Sequence, residues 1–406
     1  MSNSHASAVK RSKDRIAIID AVRGLAMLGI MLVNFPSINT TAGDEATHYG
    51  GINSQTDELV NALSMAFING KFYPIFAFLF GLSMFIFMDN AQHKGFNAQQ
   101  LMTRRLAFLA LLGGLHISLV WWGDILLCYA LLGFVLMFCF KLSARTLLYI
   151  GVGCLSVLLL QGLVELGDRL AWWNLKQSIQ LRLVNIDIDH AAFAAIYADG
   201  SFFEISGLRI KDYLYDFLGP LVMRITTPDY AAAYLVYYTR IFGLFALGMA
   251  CGKSGLHRNL FNEIGLIRKI WLVSAIIFLP ILVTMLLGQE PSGFVRGLSC
   301  VFGAFFYITS MVLLAHNPKT AKFLYFFVPA GRMSLTAYLL DTLFFSFFLY
   351  GYGLGFYQKT GPAQLIPMAL LFYIMVFGFC HYWHRNFGMG PFEKVWRKVT
   401  YGSMRA

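Results

Sequence analysis

Long apolar runs separated by short polar or basic segments recur from Ile16 to Cys380. They fall at roughly 17–37, 66–89, 105–122, 124–141, 145–166, 230–252, 269–288, 294–315, 324–350 and 365–384. A bilayer core needs about 20 apolar residues per helix, and these runs are of that length. In hydrocarbon a segment must satisfy its own backbone hydrogen bonds, which makes helix the default, and the runs are too uniformly apolar for barrel strands. The pattern predicts an all-α polytopic membrane protein with about ten transmembrane helices.

The polar segments divide the chain further. Residues 1–15 read as a mobile cytoplasmic tail, 16–166 as an N-terminal membrane half and 230–384 as a C-terminal one, with a second tail at 385–406. Between the halves, 167–229 is the one real shift in composition, and it carries Trp172, Trp173, Asp187, Asp189 and His190. It reads as short amphipathic helices at the outer interface, placed to lid a cavity between the halves. With both termini inside, twenty Lys and Arg fall in cytoplasmic segments and only Arg296 and Lys359 in short outer loops, so the expected orientation is N-in and C-in.

Composition agrees: 58% of residues are hydrophobic and 13% charged, too greasy for a soluble enzyme or a nucleic-acid-binding domain. The net charge of +11 is then the positive-inside bias, not a sign of an anionic polymer partner. Asp20 and Arg23 interrupt the first run, so no cleavable signal peptide is expected. The six cysteines form no CxxC pair and no metal signature, and no metal is predicted.

Ionisable residues at membrane depth carry the functional information, since each costs on the order of 3 kcal/mol in hydrocarbon. Asp20 and Arg23, three apart, share a helix face; they can neutralise each other, or Arg23 can bind a phosphate. Asn34 lies about three turns further along nearly the same face. Lys71 opens the second run, either snorkelling or facing an anionic group in an outer vestibule. His116 and Asp124 flank a Trp121–Trp122–Gly123 turn that brings their helices antiparallel, a pairing suited to base catalysis or to plain helix–helix bonding, with Tyr129 deeper in the same cavity. Pro329 and Gly331 loosen the ninth run beside Arg332, Ser334, Thr336, Tyr338 and Asp341. Arg332 could join Arg23, Arg104 and Arg105 in a cytoplasmic anion site. The run Phe344, Phe345, Phe347 and Phe348 reads as a lipid-facing or interfacial belt.

Five stretches in this order resemble the YeiB family of bacterial inner-membrane proteins: IDAVRGLAMLGIMLVNF at 19–35, KFYPIFAFLFG at 71–81, GGLHISLVWWGDILLCYALLG at 113–133, GRMSLTAYLLD at 331–341 and GPFEKVWRKVTY at 390–401. Lys394 and Val395 depart from the family's Trp and Leu, which touches interface anchoring only. The first helix is also similar to that of acyltransferase 3 type membrane acyltransferases, matching at Asp20, Arg23 and Gly24. Where those enzymes carry a histidine this chain has Asn34, so a base would have to come from His116, or from His48 beside Asp44 and Glu45. Arg104–Arg105 resembles the basic residues with which such enzymes hold coenzyme A.

Two functions follow as expectations. One is an acyltransferase of the bacterial inner membrane, taking acyl groups from a cytoplasmic acyl-CoA donor to an acceptor at the outer face. His116 would be the base, Asp124 its orienter, and Asn34 the oxyanion donor. The other is a transporter or flippase for an anionic solute or lipid, with Asp20, Asp124 and Asp341 carrying protons. Either implies a small-molecule or lipid substrate and contact with membrane lipid, involves no nucleic acid, and leaves a homo-oligomer open.

Overall fold

The computed structural model describes residues 2–41, 54–169, 190–222 and 228–402, and among them every regular element is helical. In chain order these are α1 (Ser2–Ile38), α2 (Gln55–Phe67), α3 (Phe72–His93), α4 (Ala98–Leu119), α5 (Leu126–Phe138), α6 (Ala144–Leu155) and α7 (Val157–Arg169). They continue with α8 (His190–Asp199), α9 (Phe202–Val222), α10 (Pro228–Lys253), α11 (Ile264–Leu286), α12 (Gly293–His316) and α13 (Pro318–Tyr325). The last are α14 (Val328–Arg332), α15 (Ser334–Leu349), α16 (Pro362–Phe387) and α17 (Pro391–Tyr401).

Six stretches are long and apolar enough to cross a bilayer: Ala17–Ile38, Gln55–His93, Ala144–Leu163, Ile264–Leu286, Gly293–His316 and Pro362–Phe387, with mean hydropathies of 1.7 to 2.2. Leu126–Lys141 and Ser334–Leu349 are apolar but shorter. The other four of the ten runs fall on these two shorter helices and on α4 and α10, which carry Arg104 with Arg105, and Arg240, respectively, within them. The protein is an all-α polytopic membrane protein. Its outward faces agree, with Leu159, Leu163, Ile276, Val283, Leu371 and Ile374 all exposed as a lipid-facing surface would require.

Helix α1 is the central post, and it packs against α3, α14, α15 and α16. No Gly or Pro occurs before Gly24, and the helix accordingly extends from Ser2 through the polar stretch that the sequence sets apart as a tail. Gly24 and Gly331 let α1 and α14 meet backbone to backbone: a Cβ on Gly24 would strike the Phe327 carbonyl, and one on Gly331 the Asp20 carbonyl. The ninth run is not one helix. It breaks at Phe326–Phe327 and again at Met333 into α13, α14 and α15.

The run Phe344–Phe348 is not a lipid belt. Phe345 is fully buried and stacks on Phe35 at 3.9 Å, while Phe344 stacks on Phe372 at 3.8 Å. Only Phe347 of the four faces outward. Its helix packs between α1 and α16, so aromatic side chains on two of its faces find partners.

Of the region between the halves, α8 and α9 are described, whereas Trp172, Trp173, Asp187 and Asp189 lie outside the described residues, as do His48, Asp44 and Glu45. Tyr197 of α8 donates to Asp212 at 2.6 Å, and its carbonyl accepts from Gly351. Arg209 of α9 is fully buried and donates to the Tyr352 hydroxyl at 2.8 Å. These bonds fix α8 and α9 on the turn between α15 and α16, and Ser206 donates to the Ser118 carbonyl at the end of α4.

Candidate functional site

A chamber of about 500 Å³ opens inside the bundle, lined by α1, α3, α4, α5, α14, α15 and α17. Its size is that of a small-molecule site. Four arginines border it: Arg23, Arg105, Arg332 and Arg397. They gather at the end of the bundle where α1 carries Asp20 and where α17 lies, hereafter the basic end. Away from that end the walls are apolar, with Ile30, Leu79, Phe80, Leu109 and Leu126 among the lining side chains. Tyr129 and Tyr338 line this inner part, with the Tyr338 hydroxyl buried and the Tyr129 hydroxyl turned to the Tyr73 carbonyl. The combination suits a ligand with an anionic head and an apolar body.

Two of the arginines are tied by a carboxylate. Asp20 accepts from Arg23 Nη1 at 3.3 Å and from Arg332 Nε at 3.0 Å. Arg23 also donates to Ser83 at 2.8 Å, and Arg332 Nη1 lies 3.1 Å from His384 Nε2. The Gly24–Gly331 crossing makes this triad possible, because it brings α14 within side-chain reach of α1. One carboxylate for two guanidiniums leaves an excess of positive charge.

Arg105 is held differently, with its guanidinium 3.6 Å over the Trp396 ring and 5.0 Å from that of Phe87. Trp396 Nε1 donates in turn to the Arg105 carbonyl at 2.9 Å. Arg104, its neighbour in sequence, does not line the chamber. Helix α17 forms the chamber's wall at the basic end. Its Glu393 accepts from the Leu335 and Thr336 amides at 2.9 and 3.0 Å and from the Thr336 hydroxyl at 2.5 Å. A carboxylate thus caps the free amides at the start of α15, where the helix dipole favours negative charge.

Behind Tyr338 lies a polar chain. His116 Nδ1 is 3.1 Å from Asp124 Oδ1, with both side chains sealed from solvent. Asp124 Oδ2 accepts from the Leu127 amide at 2.7 Å, and a Cβ on Gly113 would press on that carboxylate. His116 Nε2 lies 2.8 Å from Thr342 Oγ1, and the Tyr338 hydroxyl lies beside Asp124. The His116 and Tyr338 rings are 5.1 Å apart. Tyr338 lines the chamber whereas His116, Asp124 and Thr342 do not.

Asn34 sits one turn of α1 beyond Ile30, the lining residue furthest along that helix; it is buried, and its amide nitrogen has no partner among the described residues. Asp341, one turn on from Tyr338, is fully buried, and neither carboxylate oxygen has a partner among the described residues. Tyr129 donates to the Tyr73 carbonyl at 3.0 Å. Lys71 is remote from the chamber, with its ammonium donating to the Met65 carbonyl at 2.5 Å. The structure therefore gathers Arg23, Arg105, Tyr129 and Arg332 around one space, with Asp20 tied to them. His116 and Asp124 pair one side chain behind it, and Arg104 and Lys71 stand apart.

The local sequence pattern does not single out Ser83, Glu393, Trp396 or Thr342, marks Arg397 only as one of the cytoplasmic basic residues, and gives Tyr338 no specific task. The amphipathic GPFEKVWRKVTY stretch was the available signal for α17. Among the described residues, no group of three or more His, Cys, Asp or Glu is arranged to hold a metal ion.

Comparison with known proteins gives relatives along nearly the whole chain. Residues 251–403 match the family described as "Protein of unknown function (DUF418)". The uncharacterized protein YxaH of Bacillus subtilis is 32% identical over 400 residues, covering 96% of this chain and 95% of that protein. The uncharacterized protein YeiB of Escherichia coli is 27% identical over 418 residues, covering 95% of this chain and 96% of YeiB. No solved structure matches. Full-length similarity to both bacterial relatives, with the DUF418 match over the C-terminal part, shows that this chain belongs to the YeiB family.

Proposed function

We propose that this protein is an acyltransferase of the bacterial inner membrane, oriented N-in and C-in, that takes its acyl group from a cytoplasmic acyl-CoA thioester and passes it to an acceptor at the outer face. The observation that carries this reading is the chamber itself: arginines at the basic end, apolar walls beyond, and a tyrosine in the inner wall backed by a buried carboxylate and imidazole. Arg23, Arg105, Arg332 and Arg397 suit the phosphates of the donor, and the apolar walls suit its acyl chain.

In this reading the acceptor hydroxyl or amine attacks the thioester carbonyl. Its proton passes to Tyr338 as Tyr338 gives its own to the Asp124–His116 pair. Collapse of the tetrahedral intermediate breaks the carbon–sulfur bond, and the departing thiolate takes the proton back as a thiol. Tyr338, whose hydroxyl is buried until substrate parts the inner wall, is the group that touches substrate; His116, Asp124 and Thr342 hold it in register. Asn34, one turn beyond the chamber, donates to the carbonyl oxygen as the acyl group moves outward.

The test is release of free thiol from acetyl-CoA and from a long-chain acyl-CoA by the purified full chain in lipid vesicles. Turnover lost in both Tyr338→Phe and His116→Ala supports the reading. Full turnover in either variant discards this mechanism.

A second reading, a transporter or flippase for an anionic amphiphile, draws on Asp341, a buried carboxyl without a partner among the described residues that could carry a proton. Flux in proteoliposomes that follows a pH gradient without any acyl donor, and that fails in Asp341→Asn, would favour it.

A further inference from the structure

A second set of cations lies at the end of the bundle opposite the basic end. Lys71 stands just before α3, about 24 Å along that helix from Phe87, which lines the chamber. Its side chain is almost wholly buried, with its stem packed close to Gly303. Arg240 of α10 lies over the rings of Tyr73 and Tyr237 at 5.5 and 5.8 Å. Its Nε is buried with no partner among the described residues. Arg296, in the first turn of α12, is exposed and close enough to Lys71 to repel it.

One residue ties the group together. Cys300, a turn on from Arg296, is within electrostatic reach of Lys71, Tyr73 and Arg240. A Cβ on Gly70 would strike its sulfur. Arg240 and Lys71 thus reach one face of α12 from two other elements: Arg240 Nη1 lies beside Gly297 and the Lys71 stem beside Gly303, on either side of Cys300, while Arg296 projects from α12 itself.

None of the three has a carboxylate within ion-pair distance among the described residues. The nearby Glu165 is committed elsewhere, accepting from the Phe294 amide at 2.9 Å and from Gln161 at 3.0 Å. A guanidinium does not give up its proton in a protein, so Arg240 cannot escape by neutralising. Ring faces attract a cation but do not cancel its charge, so the half-buried Arg240 is left without a counter-charge among the described residues. We infer that this cluster is an anion site for a phosphate group, entered past Arg296, with Arg240 and Lys71 as its inner donors. It shares no residue with the chamber and stands whether or not the acyltransfer reading does.

A phosphate group there comes either from an anionic phospholipid headgroup or from a free phosphate. The test follows the thermal unfolding midpoint of the purified full chain in neutral detergent. The midpoint is titrated with short-chain phosphatidylglycerol, with phosphatidylcholine of the same chain length and with inorganic phosphate. Phosphatidylglycerol is expected to raise the midpoint. Arg240→Gln and Arg296→Gln, each made in an Arg105→Gln background so that the chamber contributes less, should raise the half-saturating concentration by roughly tenfold, the loss of one charged hydrogen bond. An equal response to inorganic phosphate identifies the free ion as sufficient, and a response to the lipid alone identifies the headgroup; both support the site. Should Arg240→Gln fail to fold, Arg296→Gln, altered at an exposed position, carries the test. An equal rise with phosphatidylcholine, no rise with either anion, or a half-saturating concentration unchanged by Arg296→Gln overturns it.

Discussion

His116 and Asp124 face each other at 3.1 Å across the Trp121–Trp122–Gly123 turn, and the far side of the imidazole is occupied by Thr342 at 2.8 Å. The Thr342 hydroxyl is also 3.0 Å from the Tyr338 carbonyl, one turn back on its own helix. Tyr338, whose ring is 5.1 Å from that of His116, stands between this pair and the chamber. Removing one member of such a buried pair strands the other. His116→Ala should destabilise the fold by about 3–5 kcal/mol, and His116→Leu combined with Asp124→Leu should recover part of that. Denaturant unfolding in detergent, run as a double-mutant cycle, measures the coupling; additive losses would contradict the pairing.

The Glu393 clasp holds α17 against the start of α15. Glu393→Ala should cost about 1–2 kcal/mol, as loss of a helix cap does, and should raise hydrogen exchange in residues 391–401. Glu393→Gln, which keeps the shape but not the charge, should lie between. Unchanged exchange in the alanine variant would show that α17 is held by its Trp396 contacts alone.

The α1–α14 crossing leaves no room for a methyl group. Gly331→Ala should destabilise by about 1–3 kcal/mol through overpacking and should also loosen the Asp20–Arg332 pair. Gly114→Ala, at an open position on α4, serves as the control and should be close to neutral. Equal midpoints for the two variants would contradict the close approach.

His257 sits in the short turn between α10 and α11, where burial holds its imidazole below the ordinary value of 6.5. The folded state therefore favours the neutral ring. Its contribution is fully present above 6.5 and is lost as pH falls below that value toward the depressed folded one. The protection factors for hydrogen exchange across residues 254–263, taken against the intrinsic rate at each pH, should fall on acidification in the unaltered chain and fall less in His257→Asn. Identical pH profiles would contradict it.

Local helical spacing made the Asp20–Arg23 pair legible in the sequence, and the tight Trp–Trp–Gly turn did the same for His116 with Asp124. Both are set by a few residues of separation. Contacts set by packing were not legible. Trp396 meets Arg105 across 291 residues, and Glu393 reaches Thr336 across 57. Arg104 and Arg105 look alike in sequence, yet only Arg105 lines the chamber, since adjacent helical positions point about 100° apart. The aromatic run at 344–348 misled for a related reason: greasy side chains on a helix enclosed by neighbours serve the core, and composition does not reveal the enclosure.

The central claim is that the arginine-bordered chamber receives the anionic end of a thioester donor. Calorimetric titration of the purified full chain with a long-chain acyl-CoA tests it most directly. The account predicts saturable binding that Arg105→Gln weakens by roughly tenfold, the worth of one charged hydrogen bond, and that Tyr338→Phe leaves nearly unchanged. Equal affinity in the Arg105→Gln variant and the unaltered chain, or no binding at all, would contradict it.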